Sequence, residues 1–376
     1  MSKLAKLRVL HVASGDLWGG AEAQVHTQCK YLQKYPNIVL EVIVLNDGQL
    51  KHKLDREGIN THLVDEQCLG TYALLKELRV LFHEFHPHIV HTHGPKQNIL
   101  ASLANLFSIR AKCVRTQHGA PEFIHSWRQP AQILQFWVDQ FCGRYLQKKV
   151  IAVSAELAEK LTEQYSYDHI EIIENGVDLE ALDQVIAKAP FKVEESGLFH
   201  VGIVGRLVQV KRIDLFIDMA KALVEEKADS NSYHFHIIGD GPLRSDLERK
   251  VHQLGMQSEI DFHGHINQIA CYLSSLDVLV MCSDHEGLPM TLLEAVALGV
   301  PVVGHNLGAM REPLARKKGG LLSVEHNANS YADVVVELLQ NDQNELVEGG
   351  RRWLQEKCTA EENAKRVMGL YKKLLA

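Results

Sequence analysis

The sequence lacks the features that place a protein across a membrane or in an oxidising compartment. No stretch approaches the roughly 20 apolar residues of a membrane-spanning helix. The seven cysteines form no CxxC pair, and their odd number leaves at least one unpaired. Residues 1–16 hold a short apolar run that leads directly into a turn, without the longer apolar region and cleavage site of a secretory signal. We therefore expect a cytoplasmic protein in a reducing environment.

Signatures of several function classes are also missing. A formal net charge of -7 and a pI near 6.3 give no general attraction to nucleic acid, which we do not expect as a partner. No Asp-x-Asp pair is present to carry Mg²⁺ or Mn²⁺ to a diphosphate. No GxGxxG turn with an acid about 20 residues further on opens either half, which argues against a nicotinamide-dependent dehydrogenase. We expect neither a metal nor a cofactor.

The chain is long enough for two domains of the α/β class. Its 376 residues exceed one ordinary hydrophobic core, and 46% hydrophobic with 23% charged residues is typical of globular proteins. Short apolar runs alternate with amphipathic ones, which predicts parallel sheets covered by helices. The pattern lapses near residues 180–198. We expect Rossmann-like lobes over 1–190 and 195–358, with a final helix at about 360–376 packing back on the first lobe.

Candidate ligand-binding residues of the first half follow predicted strands. Ligands of parallel sheets lie beyond the carboxyl ends of the strands, where helix N-termini present their N–H groups to anions. Gly19 and Gly20 come between the first strand and a helix, so their amides can approach a phosphate. His118 follows the strand that ends at Gln117 and is the candidate active-site histidine. The structural alternative for the two glycines is a tight turn without a ligand. The alternative for His118 is a histidine whose hydrogen bonds are made within the fold.

Two carboxylates in the second half carry a stronger signal. Glu286 lies in the loop after an apolar strand, and Glu294 lies eight positions further on in the next helix. Carboxylates accept paired hydrogen bonds from vicinal sugar hydroxyls, and the amides of Gly287 and Leu288 can face a phosphate or a sugar. The alternative is a helix-capping acid beside an unrelated surface glutamate.

Two cations follow the strand HVGIVG. Arg206 lies on the loop and Lys211 lies close to the next helix start. Cations at a helix start are disfavoured by the helix dipole unless an anion compensates. A bound diphosphate would supply that anion, and the two cations would neutralise a nucleoside diphosphate leaving group without a metal. A solvated surface pair is the alternative.

Two further segments allow more than one interpretation. The histidines of HPHIVHTHG, at positions 86, 88, 91 and 93, resemble a metal site, but no cysteine or acid accompanies them at structural-zinc spacing. The segment 130–149 combines four aromatic residues with Arg144, Lys148 and Lys149. It would suit a membrane surface that carries a lipid-linked acceptor. The alternative is a core helix whose basic C-terminal end matches its dipole.

Six motifs in register extend over nearly the whole chain. They are GGAE at 19–22, QHG at 117–119, NGVD at 175–178, GRL with a lysine at 205–211, GDGP at 239–242 and EGLPMTLLEA at 286–295. This combination resembles the family 4 retaining glycosyltransferases of GT-B fold, in which two Rossmann-like lobes face each other across a cleft. The last motif together with GRL and its lysine is the most specific part of the resemblance.

The resemblance implies a role for each candidate in the second half. Arg206 and Lys211 would hold the donor diphosphate. Glu286 would hold the transferred sugar together with the amides of Gly287 and Leu288, and would count as catalytic. Glu294 would hold the ribose of the donor, and His265 and Ile266 would contact its nucleobase.

For the first half, the resemblance implies that Gly20 reaches the phosphate from the opposite lobe and that His118 is catalytic at the reaction centre. Residues 120–130, which belong to the acceptor loops, carry no readable pattern.

The implied activity is metal-independent, retaining hexosyl transfer. The sugar would pass from a nucleotide-sugar donor to a glycan or lipid-linked acceptor, in bacterial surface polysaccharide or lipopolysaccharide assembly. The departing diphosphate would help to deprotonate the acceptor. The enzyme would work in the cytoplasm, with peripheral contact to the inner face of the membrane. A non-catalytic partner that binds nucleotide-sugar and a nucleotide-sugar epimerase of the same fold are the alternatives.

Overall fold

A computed structural model describes residues 6–16, 18–119, 130–188, 197–226, 232–266, 269–314 and 318–376. The chain divides into two compact units. Unit 1 consists of Met1–Gly176 and Ala360–Ala376, and unit 2 of Val177–Thr359. The division falls earlier than the 190–195 boundary expected from the apolar pattern, because the helix Leu179–Lys188 packs against helices of unit 2.

Unit 1 contains a seven-stranded sheet of order β3-β2-β1-β4-β5-β6-β7, in which every described pair of neighbours is parallel. Its strands are β1 Leu7–Ala13, β2 Ile38–Val44, β3 Asn60–Leu63, β4 Ile89–Thr92, β5 Lys112–Gln117, β6 Gln147–Ala152 and β7 Ile170–Ile172. The apolar side chains of β1 are buried, as expected for a strand covered by helices on both faces.

The helices of unit 1 follow its strands and cover the sheet. They are α1 Gly20–Leu32, α2 Gln49–Arg56, α3 Thr71–Phe85, α4 Pro95–Leu106, α5 Pro130–Phe141, α6 Ala155–Leu161 and, from the end of the chain, α15 Ala360–Leu375. Helix α15 packs on α1, where Gln28 donates a 3.0 Å hydrogen bond to Asn363. Its apolar side chains Val367 and Leu370 join the core formed by β1 and β2.

The segment 130–149 is only partly helical. Helix α5 ends at Phe141, a π-helical turn spans Cys142–Leu146, and β6 begins at Gln147. Lys148 and Lys149 therefore lie on a strand, so the alternative of a helix with a basic C-terminal end is wrong for these two residues. The apolar run from Val150 to Ala152 pairs with β5 and draws the preceding residues into the sheet.

Unit 2 repeats the architecture with a six-stranded sheet of order β10-β9-β8-β11-β12-β13, again parallel in every described pair. Its strands are β8 Leu198–Val204, β9 Ser232–Ile238, β10 Ile260–Gly264, β11 Val278–Met281, β12 Val302–His305 and β13 Gly320–Ser323. Its helices are α7 Leu179–Lys188, α8 Ile213–Glu226, α9 Arg244–Leu254, α10 Ile269–Leu273, α11 Met290–Leu298, α12 Gly308–Leu314, α13 Ala328–Gln340 and α14 Asn344–Lys357.

The predicted fold class is thus confirmed, since both units are parallel α/β sheets of Rossmann-like order. No helix in the described part of the chain has the length and apolarity that a membrane crossing requires.

Candidate active site

The predicted donor residues of unit 2 gather where the strand order reverses. Strands β8, β9 and β10 run towards one edge of the sheet, and β11 starts on the other side of β8. Ligands of open parallel sheets bind at such switch points, because the loops on either side diverge and leave a crevice. Arg206 and Lys211 follow β8, and Glu286 follows β11.

The loop after β8 is held in place by the GDGP turn after β9. The N–H of Leu207 donates to the carbonyl of Asp240 at 3.0 Å, and the N–H of Leu243 donates back to the carbonyl of Leu207 at 3.1 Å. At Gly239, whose φ is 140°, a Cβ atom would lie 1.9 Å from the carbonyl oxygen of Gly205. The glycine is therefore required for close packing of the two loops, which positions Arg206.

Replacement of Gly239 by alanine tests this packing. We expect a loss of about 1–3 kcal/mol from the backbone conformation alone, and more from the clash with Gly205. The melting temperature should fall by several degrees. Gly70 is the matched control, since a Cβ there meets nothing within 4 Å. Equal melting temperatures for the two alanine variants would contradict the role assigned to Gly239.

Lys211 and Glu286 contact each other directly. The ammonium of Lys211 donates to Oε1 of Glu286, and Ser283 Oγ donates to the same oxygen at 2.6 Å. Lys211 ends a short 3₁₀ turn, and the N–H of Asp284 donates to the carbonyl of Val210 at 2.9 Å. This backbone bond joins the turn after β8 to the loop after β11, so the cation and the carboxylate are positioned together.

A second polar cluster on the same loops was not predicted. Arg212, which has a positive φ of 50° before α8, donates to Asp214 and, at 3.3 Å, to Asp284. His326 lies 3.0 Å from the same Asp284 carboxylate. The hydrogen bond from Arg212 to Asp214 raises the pKa of the guanidinium. The cluster could not be predicted from the sequence, because its members come from three separate segments.

The other predicted donor residues take varied positions in unit 2. Gly287 and Leu288 are buried in the loop before α11. Glu294 is half-buried in the second turn of α11. His265, which is exposed, and Ile266, which is half-buried, directly follow β10, at the same edge of the sheet as the loops after β8 and β11.

Unit 1 has a corresponding switch point between β1 and β4. Gly20 begins α1 and is exposed, and Gly19 is the N-cap residue of this helix. His118 directly follows β5, as predicted from the strand pattern. The predicted acceptor loop, apart from Pro130, lies outside the described residues.

The histidines of HPHIVHTHG do not stay together. His86 ends α3, and His88 accepts a hydrogen bond from the N–H of Arg8. The buried His91 and His93 instead join His11 of β1, which the sequence analysis missed. The sequence feature that could have indicated His11 is its position as a histidine within the apolar run of β1.

These three histidines belong to a continuous series of six hydrogen-bonded side chains, which we call the histidine chain. Its members, in order, are Thr116, His91, Tyr371, His11, His93 and His118. At its inner end, His91 Nε2 is 2.7 Å from the hydroxyl of Thr116, and His91 Nδ1 is 2.6 Å from the hydroxyl of Tyr371 on α15. The Tyr371 hydroxyl is also 3.2 Å from Nε2 of His11. The aromatic ring of Tyr371 is fully buried.

The outer half of the histidine chain leads to the predicted active-site histidine. His11 Nδ1 is 2.8 Å from Nε2 of His93, and His93 Nδ1 is 3.2 Å from Nε2 of His118. Burial lowers the pKa of His11 to about 3. Burial, followed by the nearby Arg115 cation, lowers that of His118 to about 4.

These pKa values predict a loss of stability in mild acid. Below the ordinary histidine pKa of 6.5, the unfolded chain binds protons that His11 and His118 in the folded protein do not accept. Stability should therefore be fully present above pH 6.5 and fall between pH 6.5 and about 4. Melting temperatures across this range test the expectation, and a constant value from pH 7 to 5 would contradict it.

Two Rossmann-like parallel-sheet units are the architecture of the GT-B glycosyltransferases. A family described as Glycosyltransferase Family 4 matches residues 18–181, and one described as Glycosyl transferases group 1 matches residues 199–341. The chain belongs to the family 4 glycosyltransferases and is a transferase enzyme, which confirms the resemblance seen in the sequence.

Similar proteins agree with this assignment. The UDP-Gal:alpha-D-GlcNAc-diphosphoundecaprenol alpha-1,3-galactosyltransferase of Escherichia coli is 27% identical over 345 residues, which cover 88% of each chain. The putative glycosyltransferase EpsF of Bacillus subtilis is 25% identical over 79% of this chain and 78% of its own. The crystal structure of Anabaena HepE with UDP has the same fold, with a TM-score of 0.80 and 18% identity over 98% of this chain and all of its own.

Proposed function

We propose that the protein is a retaining, metal-independent hexosyltransferase that uses a nucleotide-sugar donor and a lipid-linked acceptor in bacterial surface polysaccharide assembly. The observation that carries the donor half is the pairing of Lys211 with Glu286 at the switch point of unit 2. The names of the relatives, which include a transferase acting on a diphosphoundecaprenol-linked sugar, support the acceptor half.

The donor diphosphate is assigned to the loop after β8. Arg206 is exposed on that loop, and Lys211 follows it at the end of the 3₁₀ turn. Two cations can take up the charge that develops on the diphosphate when its bond to the sugar breaks. The Glu286 carboxylate keeps a second oxygen for a sugar hydroxyl, because Lys211 and Ser283 both donate to Oε1. Glu294 is assigned to the ribose, and His265 with Ile266 to the base.

We include the retaining course in the proposal, as a same-face attack that needs no nucleophile from Glu286. A carboxylate that accepts two hydrogen bonds at one oxygen, one of them from a cation, is a weak nucleophile and a good binding group. We therefore assign Glu286 to holding the sugar. The departing diphosphate then takes the proton of the acceptor, which attacks from the same face of the sugar. His118 is assigned as the catalytic histidine of unit 1.

The test is the anomeric configuration of the product. The purified protein is incubated with UDP-, GDP- or ADP-hexoses and a short-chain analogue of a diphosphoprenol-linked N-acetylglucosamine, and the product is analysed by proton NMR. Transfer that keeps the α configuration of the donor, in the presence of EDTA, is expected. A β-linked product or a full loss of transfer with EDTA would overturn the proposal, and an isomerised donor would favour the epimerase.

Helix α5 exposes apolar side chains to solvent, which supports a lipid-linked acceptor. Leu134, Trp137 and Phe141 on this helix, and Tyr145 in the turn after it, are each more than half exposed. Their spacing of three and four residues places them on one side of a helix. An outward apolar stripe is typical of a helix that lies on a membrane surface. The exposed Arg144 and Lys148 near the stripe suit anionic lipid headgroups.

The inner side of α5 is polar. It covers a pocket within unit 1, whose lining also includes Phe136 and Tyr165. The buried ion pair of Arg115 and Asp139 lines this pocket together with five glutamine side chains. The glutamines are Gln117, Gln132, Gln135, Gln140 and Gln164. Carboxamides both donate and accept hydrogen bonds, as sugar hydroxyls do. We assign the pocket to a sugar of the acceptor, whose lipid would remain in the membrane contacted by the outer side.

Removal of the apolar stripe tests the membrane contact. The double substitution Trp137→Ser and Phe141→Ser should lower binding to phosphatidylglycerol-containing vesicles at least tenfold, because burial of each aromatic side chain is worth roughly 1.5–3 kcal/mol. Tyr72→Ser, at an aromatic residue of α3 that is 83% exposed, is the control and should bind as the unsubstituted protein does. Cosedimentation measures both. Equal binding of all three proteins would exclude α5 as the contact.

A further inference from the structure

The hydrogens of the histidine chain can run in only two directions. Burial lowers the pKa of all four imidazoles, so they are neutral at pH 7, and burial also raises the pKa of the Tyr371 phenol. A neutral imidazole has one N–H and one bare nitrogen, and each hydroxyl has one hydrogen. Each interior imidazole therefore donates to one neighbour and accepts from the other. The Tyr371 hydroxyl does the same, because accepting from both His91 and His11 would leave its own buried O–H without an acceptor. Either all the hydrogens point towards His118, or all point towards Thr116.

Thr116 decides between the two directions. Its hydroxyl is buried and, within the described part of the chain, forms a hydrogen bond only with His91. If Thr116 donates to Nε2 of His91, its hydrogen is satisfied, and every later bond must point towards His118. If Thr116 accepted instead, both its own O–H and the bare Nδ1 of His118 would be buried without a partner, whereas the first direction leaves only the Nδ1–H of His118 unpaired. The first direction is therefore favoured.

We propose that the histidine chain holds His118 in the tautomer with its hydrogen on Nδ1, so that His118 acts as a hydrogen-bond donor to a substrate oxygen and not as a base. Nδ1 lies at the outer end of the chain, shielded from solvent, and has no partner among the described residues. A shielded N–H gains a full hydrogen bond when an acceptor oxygen reaches it. This catalytic role rests on the proposed transfer reaction. Thr116, Tyr371 and the other histidines are positioning residues.

A metal site is the competing interpretation of the same cluster, since the ring nitrogens of His11, His91 and His93 lie within 4.8 Å of one another. The 2.8 Å distance between His11 and His93 is that of a hydrogen bond. Two nitrogens bound to one tetrahedral zinc at 2.0–2.1 Å would lie about 3.3 Å apart. Both nitrogens of His91 are also engaged by hydroxyl groups. The distances fit hydrogen bonds better than metal ligands.

The experiment is nitrogen NMR of the full chain with ¹⁵N-labelled histidine. The signals of His118 are identified by their absence in His118→Gln. We expect a protonated Nδ1 and a bare Nε2 without any substrate. Thr116→Val and Tyr371→Phe each remove one hydroxyl and keep the shape, so each should give a mixture of tautomers. Thr116→Ser, which keeps the hydroxyl, should restore the single tautomer.

Thr92→Val is the matched control, because Thr92 is equally buried on the neighbouring β4 and bonds to a backbone carbonyl. It should leave the His118 signals unchanged. In transfer assays, kcat/KM should fall in proportion to the remaining fraction of the Nδ1–H form. A hydrogen on Nε2 in the unsubstituted protein, or an unchanged tautomer in both Thr116→Val and Tyr371→Phe, would overturn the proposal. The tautomer is measured without substrate, so this result is independent of whether the proposed transfer is found.

Discussion

Replacing Lys211 with alanine is expected to lower kcat/KM for sugar transfer by about 10²–10³-fold, the usual effect of removing one preorganised donor that faces developing charge. The substitution has two consequences. The leaving diphosphate loses a cation, and Glu286 loses the hydrogen bond that holds it in the loop after β11. Because the first consequence acts mainly in the transition state, kcat should fall together with kcat/KM.

Lys250→Ala is the matched control for Lys211. Lys250 is also a partly buried lysine of unit 2 that pairs with a carboxylate, that of Asp218, but it lies on α9, and its other contact is the backbone carbonyl of Asp214 in the first turn of α8. Its replacement should leave transfer nearly unchanged. Similar kinetics for the two alanine variants would refute the assignment of Lys211 to the diphosphate.

The largest expected effect on stability is at the ion pair of Arg115 and Asp139. Both side chains are buried, at 2% and 7% exposure, and their charged atoms are 2.9 Å apart. Arg115→Met would leave the Asp139 carboxylate buried with only the amide of Asn98 as a described hydrogen-bonding partner. Breaking a buried pair in this way costs about 3–5 kcal/mol, which corresponds to a fall in melting temperature of roughly 6–20 °C.

Two comparisons separate this effect from a general loss of charge. The double variant Arg115→Met and Asp139→Leu removes both charges and should recover most of the melting temperature. Lys365→Met breaks an exposed pair of the same unit and should change stability by about 1 kcal/mol or less. If the double variant were less stable than Arg115→Met alone, the argument from an unpaired buried charge would fail.

Much of the fold could be predicted because its signals are local. Each short apolar run became a parallel strand, and the residues just after the strands, such as Arg206 and His118, lie at strand ends as the pattern required. The domain boundary was placed too late, since the amphipathic pattern of α7 does not reveal which unit its apolar side contacts. One of the two interpretations of segment 130–149 placed the lysines at 148 and 149 at a helix end, because the pattern did not separate the π-helical turn from β6.

The contacts that matter most for the site were beyond sequence reasoning. Lys211 and Glu286 were predicted as separate binding groups, and their direct contact across 75 residues follows from the adjacency of β8 and β11. The histidine chain joins His91 to Tyr371 across 280 residues, because α15 returns to unit 1. Such contacts depend on strand order, which periodicity along one chain does not contain.

The central claim is that unit 2 binds the diphosphate of a nucleotide-sugar through Lys211. A thermal-shift measurement of the purified protein with UDP, GDP, ADP and their hexose conjugates at millimolar concentration tests it most directly, because a ligand that binds only the folded state raises the melting temperature. We predict that one nucleotide class stabilises the protein selectively and that Lys211→Ala loses most of this shift. No shift with any nucleotide, or an equal shift in Lys211→Ala, would contradict the account.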